Sequence, residues 1–303
     1  GPIESLTPDM AKAAELAITE VNNSGNFIAK KIESVRGDST CVDAAAATSV
    51  AERLITSDKI KAIVGAACSG ATTAILQNVA MANGIAMISP SATSPALSDL
   101  PDNDLFFRTA PSDARQGVII AELLLQKGFK TAAMTYTNND YGKGLADSIK
   151  KNYESRGGKI TISASHEDGK GDYGAEAAAL AQAGGDILIV AGYLDKGGKG
   201  VIQASLDAGS FKTFYLPDGM IGDSLPKAIG KDLNGSIGTV PGTDSPGASK
   251  FNELAKANNL KAGPYTKESY DSAALIMLAM QAANSTNSND FKSKVMDVAN
   301  APG

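Results

Sequence analysis

The sequence predicts an α/β protein of two doubly wound lobes joined by a hinge, with a cleft between them. Three observations carry that expectation. Short apolar runs of strand length alternate with amphipathic or Ala-rich stretches of helical length, which is the pattern of βαβ units and of parallel sheets covered by helices on both faces. At 303 residues the chain is long enough for two cores. Two irregular connections, Phe106 to Asp113 and Ser236 to Pro241, interrupt the alternation. They divide the chain into one lobe of 1–109 with 241–303 and another of 110–240.

The elements follow in order. Met10 to Val21 places Met10, Ala13, Ala14, Ala17, Ile18 and Val21 on one helical face and stops at Asn22-Asn23-Ser24-Gly25. Lys31 to Arg36 reads as a strand, Asp43 to Ile55 as an Ala-rich helix, Lys61 to Val64 as a strand, Ser69 to Met81 as a helix and Ile85 to Ile88 as a strand. The pattern then repeats. Helices are expected at Ser112–Gln126, Tyr141–Tyr153, Tyr173–Gln182 and Gly197–Ala208, alternating with strands at Thr131–Tyr136, Lys159–Ser165, Asp186–Ala191 and Thr213–Leu216. After the second connection, Ser249–Ala257, Ser269–Ala283 and Phe291–Ala299 read as helices.

Composition removes several classes. A formal charge of −5 and the lack of a dense Lys/Arg stripe argue against nucleic acid as a partner. No apolar run approaches membrane-spanning length. The Gly-rich pieces Asp168–Gly174, Gly142-Lys143-Gly144 and Gly197-Gly198-Lys199-Gly200 match neither a Walker sequence nor the dinucleotide fingerprint, and read as turns or helix starts. No His/Cys/Asp/Glu cluster has metal-ligand spacing, and no cofactor is expected. His166, the only histidine, stands at a strand end beside Glu167 and Asp168, where a solvated position is expected. A Cys68–His166 nucleophilic dyad is the enzyme alternative. Cys41 and Cys68 lie 27 positions apart; a disulfide and two buried thiols both fit that spacing.

The polar chemistry sits after strands. Ala66-Ala67-Cys68-Ser69-Gly70-Ala71-Thr72-Thr73 follows one apolar run, and Ile88-Ser89-Pro90-Ser91-Ala92-Thr93-Ser94-Pro95 ends another. Both are crowded with hydroxyls and nearly free of charge. Hydroxyls and backbone N–H groups at strand ends form a socket for a small anion such as a carboxylate. Ser69 as an N-cap would serve a backbone donor whatever the function, yet a helix start also offers unpaired N–H groups. The expectation is a carboxylate held by Ser69, Thr93 and amides, with no Arg. In the other lobe Tyr141, Tyr193 and Asp218 each follow a strand and so share one sheet edge. Singly each is an ordinary turn or surface residue; together, one acid and two aromatic rings suit an ammonium group.

These motifs resemble the type I periplasmic solute-binding proteins of branched-chain amino acid ABC transporters, the Leu/Ile/Val-binding group. Similar segments run nearly end to end: Gly1-Pro2, Glu20-Val21-Asn22, Arg36-Gly37-Asp38, Gly65 to Ser69, Ile88 to Pro95, Phe107-Arg108-Thr109, Asp140 to Gly144, Ala191-Gly192-Tyr193, Pro217-Asp218-Gly219 and Gly263-Pro264-Tyr265. The resemblance implies three hinge crossings, an amino-acid-like zwitterion clamped between lobes, and no catalysis. It implies that Ser69 and Thr93, with main chain near Ser91, hold the α-carboxylate, that Tyr141, Tyr193 and Asp218 hold the ammonium, and that Cys41 and Cys68 form a disulfide. Asp218 stands where the family commonly has Glu, Leu6 where leucine-binding members have an aromatic, and Tyr265 where another aromatic closes the pocket; Glu268 adds a possible acidic contact one turn on. A branched-chain, polar or ω-amino acid such as γ-aminobutyrate is therefore expected. The resemblance also implies a monomer in the periplasm after removal of an export signal, a membrane permease as partner, a strand preceding Gly1-Pro2 and further strands after the last helix. The rival reading is the ligand-sensing domain of a receptor or of an amide-responsive regulator.

Overall fold

The computed structural model describes residues 1–242 and 245–300. The chain divides into two compact units. One, the 7–92 unit, holds Thr7–Ala92, Asp99–Ala110 and the chain from Gly242 onward; the other, the 111–241 unit, holds Gly1–Leu6, Thr93–Ser98 and Pro111–Pro241.

In the 7–92 unit three parallel strands, β1 (Ala62–Val64), β2 (Ala86–Ser89) and β3 (Phe106–Arg108), pair in the order β1-β2-β3. All four residues of the middle strand are buried, as a strand covered on both faces requires. Register sets Ile63 beside Met87 and Met87 beside Phe106. Helices Thr7–Ser24 and Thr266–Ala283 pack through Ala14, Ala17, Ala273 and Met277, where small side chains let the backbones approach. Asp43 caps helix Ala44–Thr56 by accepting from the Ala46 N–H at 3.0 Å.

The strand expected at Lys31–Arg36 does not form. The Asn22 amide takes the place of a neighbouring strand for Ile32, donating to its carbonyl and accepting from its N–H, both at 2.9 Å. Arg36 pairs with Glu15 at 2.7 Å, and Val35 stays 47% exposed. Alternating polarity specifies a face, but a strand also needs a ladder partner.

The 111–241 unit is a five-stranded parallel sheet of β4 (Thr131–Thr137), β5 (Lys159–His166), β6 (Ile187–Ala191), β7 (Phe214–Leu216) and β8 (Ile237–Gly238), in the order β5-β4-β6-β7-β8. Position in the sheet explains composition. Interior β6 is Ile-Leu-Ile-Val-Ala and buried throughout; each of its large side chains contributes about 1.5–3 kcal/mol by leaving water. Edge strand β5 carries Lys, Ser and Thr and is only partly covered. Ser112 caps helix Asp113–Gln126 and Asn139 caps helix Asp140–Ser155. Both connections read from the sequence as boundaries contain a short strand, β3 and β8, of three and two residues, too brief to show a period.

The sequence reading grouped 1–109 together, whereas Gly1–Leu6 and Thr93–Ser98 pack with the 111–241 unit. The reasons are local. The Asp195 N–H donates to the Pro2 carbonyl at 3.1 Å and the Ser5 N–H to Asp195 Oδ2 at 2.9 Å, while Leu6 lies against Gly222. Pro95 lies against Gly144, and the Asp113 N–H donates to the Thr93 carbonyl at 2.9 Å.

Candidate functional site

In the 111–241 unit the loops after β4, β6 and β7 leave the sheet at the same, carboxyl-terminal edge, where open α/β sheets gather ligand-binding side chains. They bring Tyr141, Tyr193 and Asp218 together. The two rings stack with centroids 5.1 Å apart and planes 17° from parallel. The Tyr141 hydroxyl donates to Asp218 Oδ1 at 2.9 Å and accepts from the Gly219 N–H at 3.2 Å. Gln116 Nε2 donates to the same carboxylate oxygen at 2.9 Å. All three expected residues are almost wholly buried, Asp218 at 3% exposure.

Burial, then the Asp218 and Asp113 carboxylates, pushes the Tyr141 hydroxyl up, so it stays protonated and serves as a donor. Burial, with Asp168 and Asp218 nearby, does the same to Tyr193. Tyr141 owes its place to the turn before it. Asn139 Oδ1 accepts from the Gly142 N–H at 3.0 Å, and a Cβ on Gly142 would stand 2.1 Å from the Thr137 carbonyl oxygen.

Thr93 belongs to this unit. Its side chain is fully buried, and its hydroxyl has no hydrogen-bond partner among the described residues. Its carbonyl accepts from Asp113, at the start of the helix that carries Gln116. Gln116 Oε1 is likewise buried without a partner among the described residues. Gln116 was not anticipated, although the signal was there: with Ile120 and Leu124 it forms a buried stripe at fourfold spacing, and a polar residue in such a stripe needs a partner.

Ser69, Ser91, Cys68 and Tyr265 lie in the 7–92 unit. Cys68, not Ser69, takes the N-cap position of helix Ser69–Ile75, and the buried Ser69 is its first residue. A disulfide joins Cys41 and Cys68, so Cys68 is not a free nucleophile. The Ser91 hydroxyl is used locally, donating to the Ala67 carbonyl at 2.7 Å. Ser89, unremarked in the sequence, organises this turn: its hydroxyl donates to the Ala66 carbonyl at 2.6 Å and accepts from the Ala92 N–H at 2.9 Å. Tyr265 is buried at φ +63°, a left-handed conformation unusual for a bulky residue, with its carbonyl accepting from Ser269 Oγ at 2.7 Å. Glu268 is buried with its carboxyl pushed up by that burial, and its Oε2 lacks a partner among the described residues.

His166 corrects an expectation. It is 1% exposed rather than solvated, its Nδ1 lies 2.8 Å from Thr135 Oγ1, and burial pushes it down to about 4. Among the described residues no group of three or more His, Cys, Asp or Glu is placed to hold a metal, and no helix is long and apolar enough to cross a membrane.

Parallel sheets with polar and aromatic side chains gathered after strand ends are the arrangement of a ligand-binding protein. The model of the family described as receptor family ligand binding region matches residues 9–301. A Leu/Ile/Val-binding protein homolog 1 from Brucella abortus is 34% identical over 298 residues, covering 96% of this chain and 77% of that protein. The branched-chain amino acid transporter substrate binding protein LivJ from Streptococcus pneumoniae, solved in complex with isoleucine, is 28% identical with a TM-score of 0.81, covering 95% of this chain and 82% of the other. An R. palustris solute binding protein in complex with 4-hydroxybenzoate shares the fold at 18% identity and a TM-score of 0.78, over 94% of this chain and 80% of the other. The chain belongs to the receptor family ligand binding region, and within it to the Leu/Ile/Val-binding group of type I periplasmic solute-binding proteins.

Proposed function

We propose that this protein is the periplasmic receptor of an ABC importer, handing a small amino-acid-like zwitterion to a membrane permease. The ligand's ammonium takes its place at Asp218, against the stacked Tyr141 and Tyr193 rings, with Gln116 Oε1 as a further acceptor. Its carboxylate is held by the Ser69 and Thr93 hydroxyls and main chain near Ser91. The observation that carries this reading is the buried Asp218 carboxylate, aligned by the neutral donors Tyr141 and Gln116 on one oxygen and faced by a stacked tyrosine pair. Such a site attracts a cation through charge and ring faces together. The unpartnered Thr93 hydroxyl supplies a donor for the opposite end of the ligand. Leu/Ile/Val-binding names among the relatives favour an α-amino acid. The shorter reach of Asp218, and the hydroxyl of Tyr265, favour a polar or ω-amino acid such as γ-aminobutyrate within the same class.

A thermal-shift screen tests this. Leucine, isoleucine, valine, a basic amino acid, γ-aminobutyrate, an aliphatic amide and 4-hydroxybenzoate are each added to the purified chain. A ligand at 100 times its Kd raises stability by about 2.7 kcal/mol. Stabilisation by at least one zwitterion and none by 4-hydroxybenzoate is expected. Stabilisation by the aromatic acid alone would refute the ammonium site.

A further inference from the structure

We propose that Gln116 is a specificity-determining residue: its side-chain amide bridges Asp218 and the ligand's amine, and so selects an unsubstituted ammonium over an N-alkylated one. The proposal deepens the ammonium site and rests on it.

The two ends of the amide meet different partners. Gln116 Nε2 donates to Asp218 Oδ1 at 2.9 Å. A carboxylate oxygen only accepts, so the amide nitrogen faces it and the amide oxygen turns the other way. That oxygen, Oε1, is buried with no hydrogen-bond partner among the described residues, on a side chain whose residue is 9% exposed. Ordinary bond lengths set the two ends of an amide about 2.2 Å apart, which keeps Oε1 within about 5 Å of Asp218 Oδ1. One nitrogen that makes two hydrogen bonds of ordinary length spans such a gap. A single ammonium therefore reaches the acid and Oε1 together. A Glu at this position would also offer an acceptor, but it would set a second carboxylate beside Asp218; the neutral amide avoids that repulsion.

The reach of Gln116 is built into the packing. With Ile120 and Leu124 it forms the buried stripe of helix Asp113–Gln126. One residue on, Gly117 lets this helix press against helix Asp140–Ser155: a Cβ there would stand 2.2 Å from Ser148 Oγ and 2.7 Å from the Ser148 backbone carbonyl carbon. The Ser148 hydroxyl donates across the same contact to the Ala114 carbonyl at 3.3 Å. Tyr141 stands about two turns before Ser148 on the second helix. The two side-chain donors on Asp218 Oδ1, Gln116 Nε2 and the Tyr141 hydroxyl, thus come from one closely packed helix pair. Their fixed positions set the acid, and with it the place of an amine relative to Oε1.

Selectivity follows from counting hydrogens. A primary ammonium has three N–H groups, enough for the acid and for Oε1. An N,N-dimethyl ammonium has one, which the charged acid takes. Oε1 is then left buried and unpaired, a loss of about 10- to 100-fold in affinity. The stacked Tyr141 and Tyr193 faces receive a methylated cation as well as a bare one. The rings therefore do not make this choice; the amide does.

Calorimetry on the whole chain tests the proposal with L-isoleucine, γ-aminobutyrate and the N,N-dimethyl form of each, weak binders being read by competition against the better primary amine. The variant is Gln116→Met, which keeps the length of the side chain and removes the amide; Gln116→Leu carries the same comparison should it fail to fold. Wild type is expected to prefer the primary amine about 10- to 100-fold. In Gln116→Met the primary amine is expected to weaken about 10-fold while its dimethyl form stays within about 2-fold, so the preference shrinks. Equal weakening of both forms overturns the proposal, because it leaves Gln116 only the alignment of Asp218. An unchanged preference, or dimethyl forms that bind neither protein, overturns it as well. Wild-type affinity for the primary amine in Asp218→Asn, or no binding of any probe to wild type, overturns the ammonium site and this proposal with it.

Discussion

Burial keeps His166 neutral well into the acid range, and this has a consequence for stability. Its value falls from the ordinary 6.5 to about 4, so the unfolded chain binds the extra proton first as pH drops. Stability from this group is fully present above about 6.5 and is lost as pH falls toward 4, amounting to about 3 kcal/mol in all. Asp168, Glu268 and Asp271 are shifted upward by burial, so on acidification the folded chain takes up their protons before the unfolded one and they oppose the trend. Comparing urea unfolding of wild type and His166→Gln across that range isolates the histidine: the variant is expected to lose less stability on acidification. Sequence alone placed His166 in solvent because its neighbours Glu167 and Asp168 are charged. It could not show that Thr135 and the Gly192 backbone close over the ring. Tyr141, Tyr193 and Asp218 were legible, since each follows a strand and parallel strands end at one edge. For Gln116 the stripe with Ile120 and Leu124 signalled a buried polar residue, but not its partner Asp218, 102 positions away in the chain.

Elements position these residues through a few close contacts. Helix Asp140–Ser155 begins against the Thr137 carbonyl, where Gly142 leaves no room for a Cβ. Gly142→Ala is expected to cost about 1–3 kcal/mol in chemical denaturation and to weaken ligand binding, because Tyr141 moves with the helix start. The Cys41–Cys68 disulfide closes a loop with 27 positions of separation; replacing both by Ala is expected to cost about 3–4 kcal/mol, measured as the difference in unfolding free energy under non-reducing conditions. The bulk of the helices and strands was legible from periodicity. Lys31–Arg36 was misread because its alternation is that of a strand while its hydrogen bonds go to the Asn22 side chain. β3 and β8 were passed over because two or three residues carry no measurable period.

At the scale of the molecule, the chain carries two parallel-sheet units: Thr93 and the acid and tyrosines after β4, β6 and β7 belong to the 111–241 unit, and Ser69 and Ser91 belong to the 7–92 unit. The α/β class was legible because alternation of strand and helix persists over most of the chain. The exact membership of short segments was not, because Gly1–Leu6 and Thr93–Ser98 are assigned by contacts with Asp195, Gly222, Gly144 and Asp113 that no local pattern encodes. The central claim is that a ligand amine pairs with Asp218. Its most direct measurement is calorimetry of an amino acid and its deaminated counterpart, each against wild type and Asp218→Asn. The amino acid is expected to bind wild type tightly and to lose about 2–5 kcal/mol in the variant, while the deaminated compound binds both weakly and alike. Equal affinity of the amino acid for the two proteins would contradict the claim.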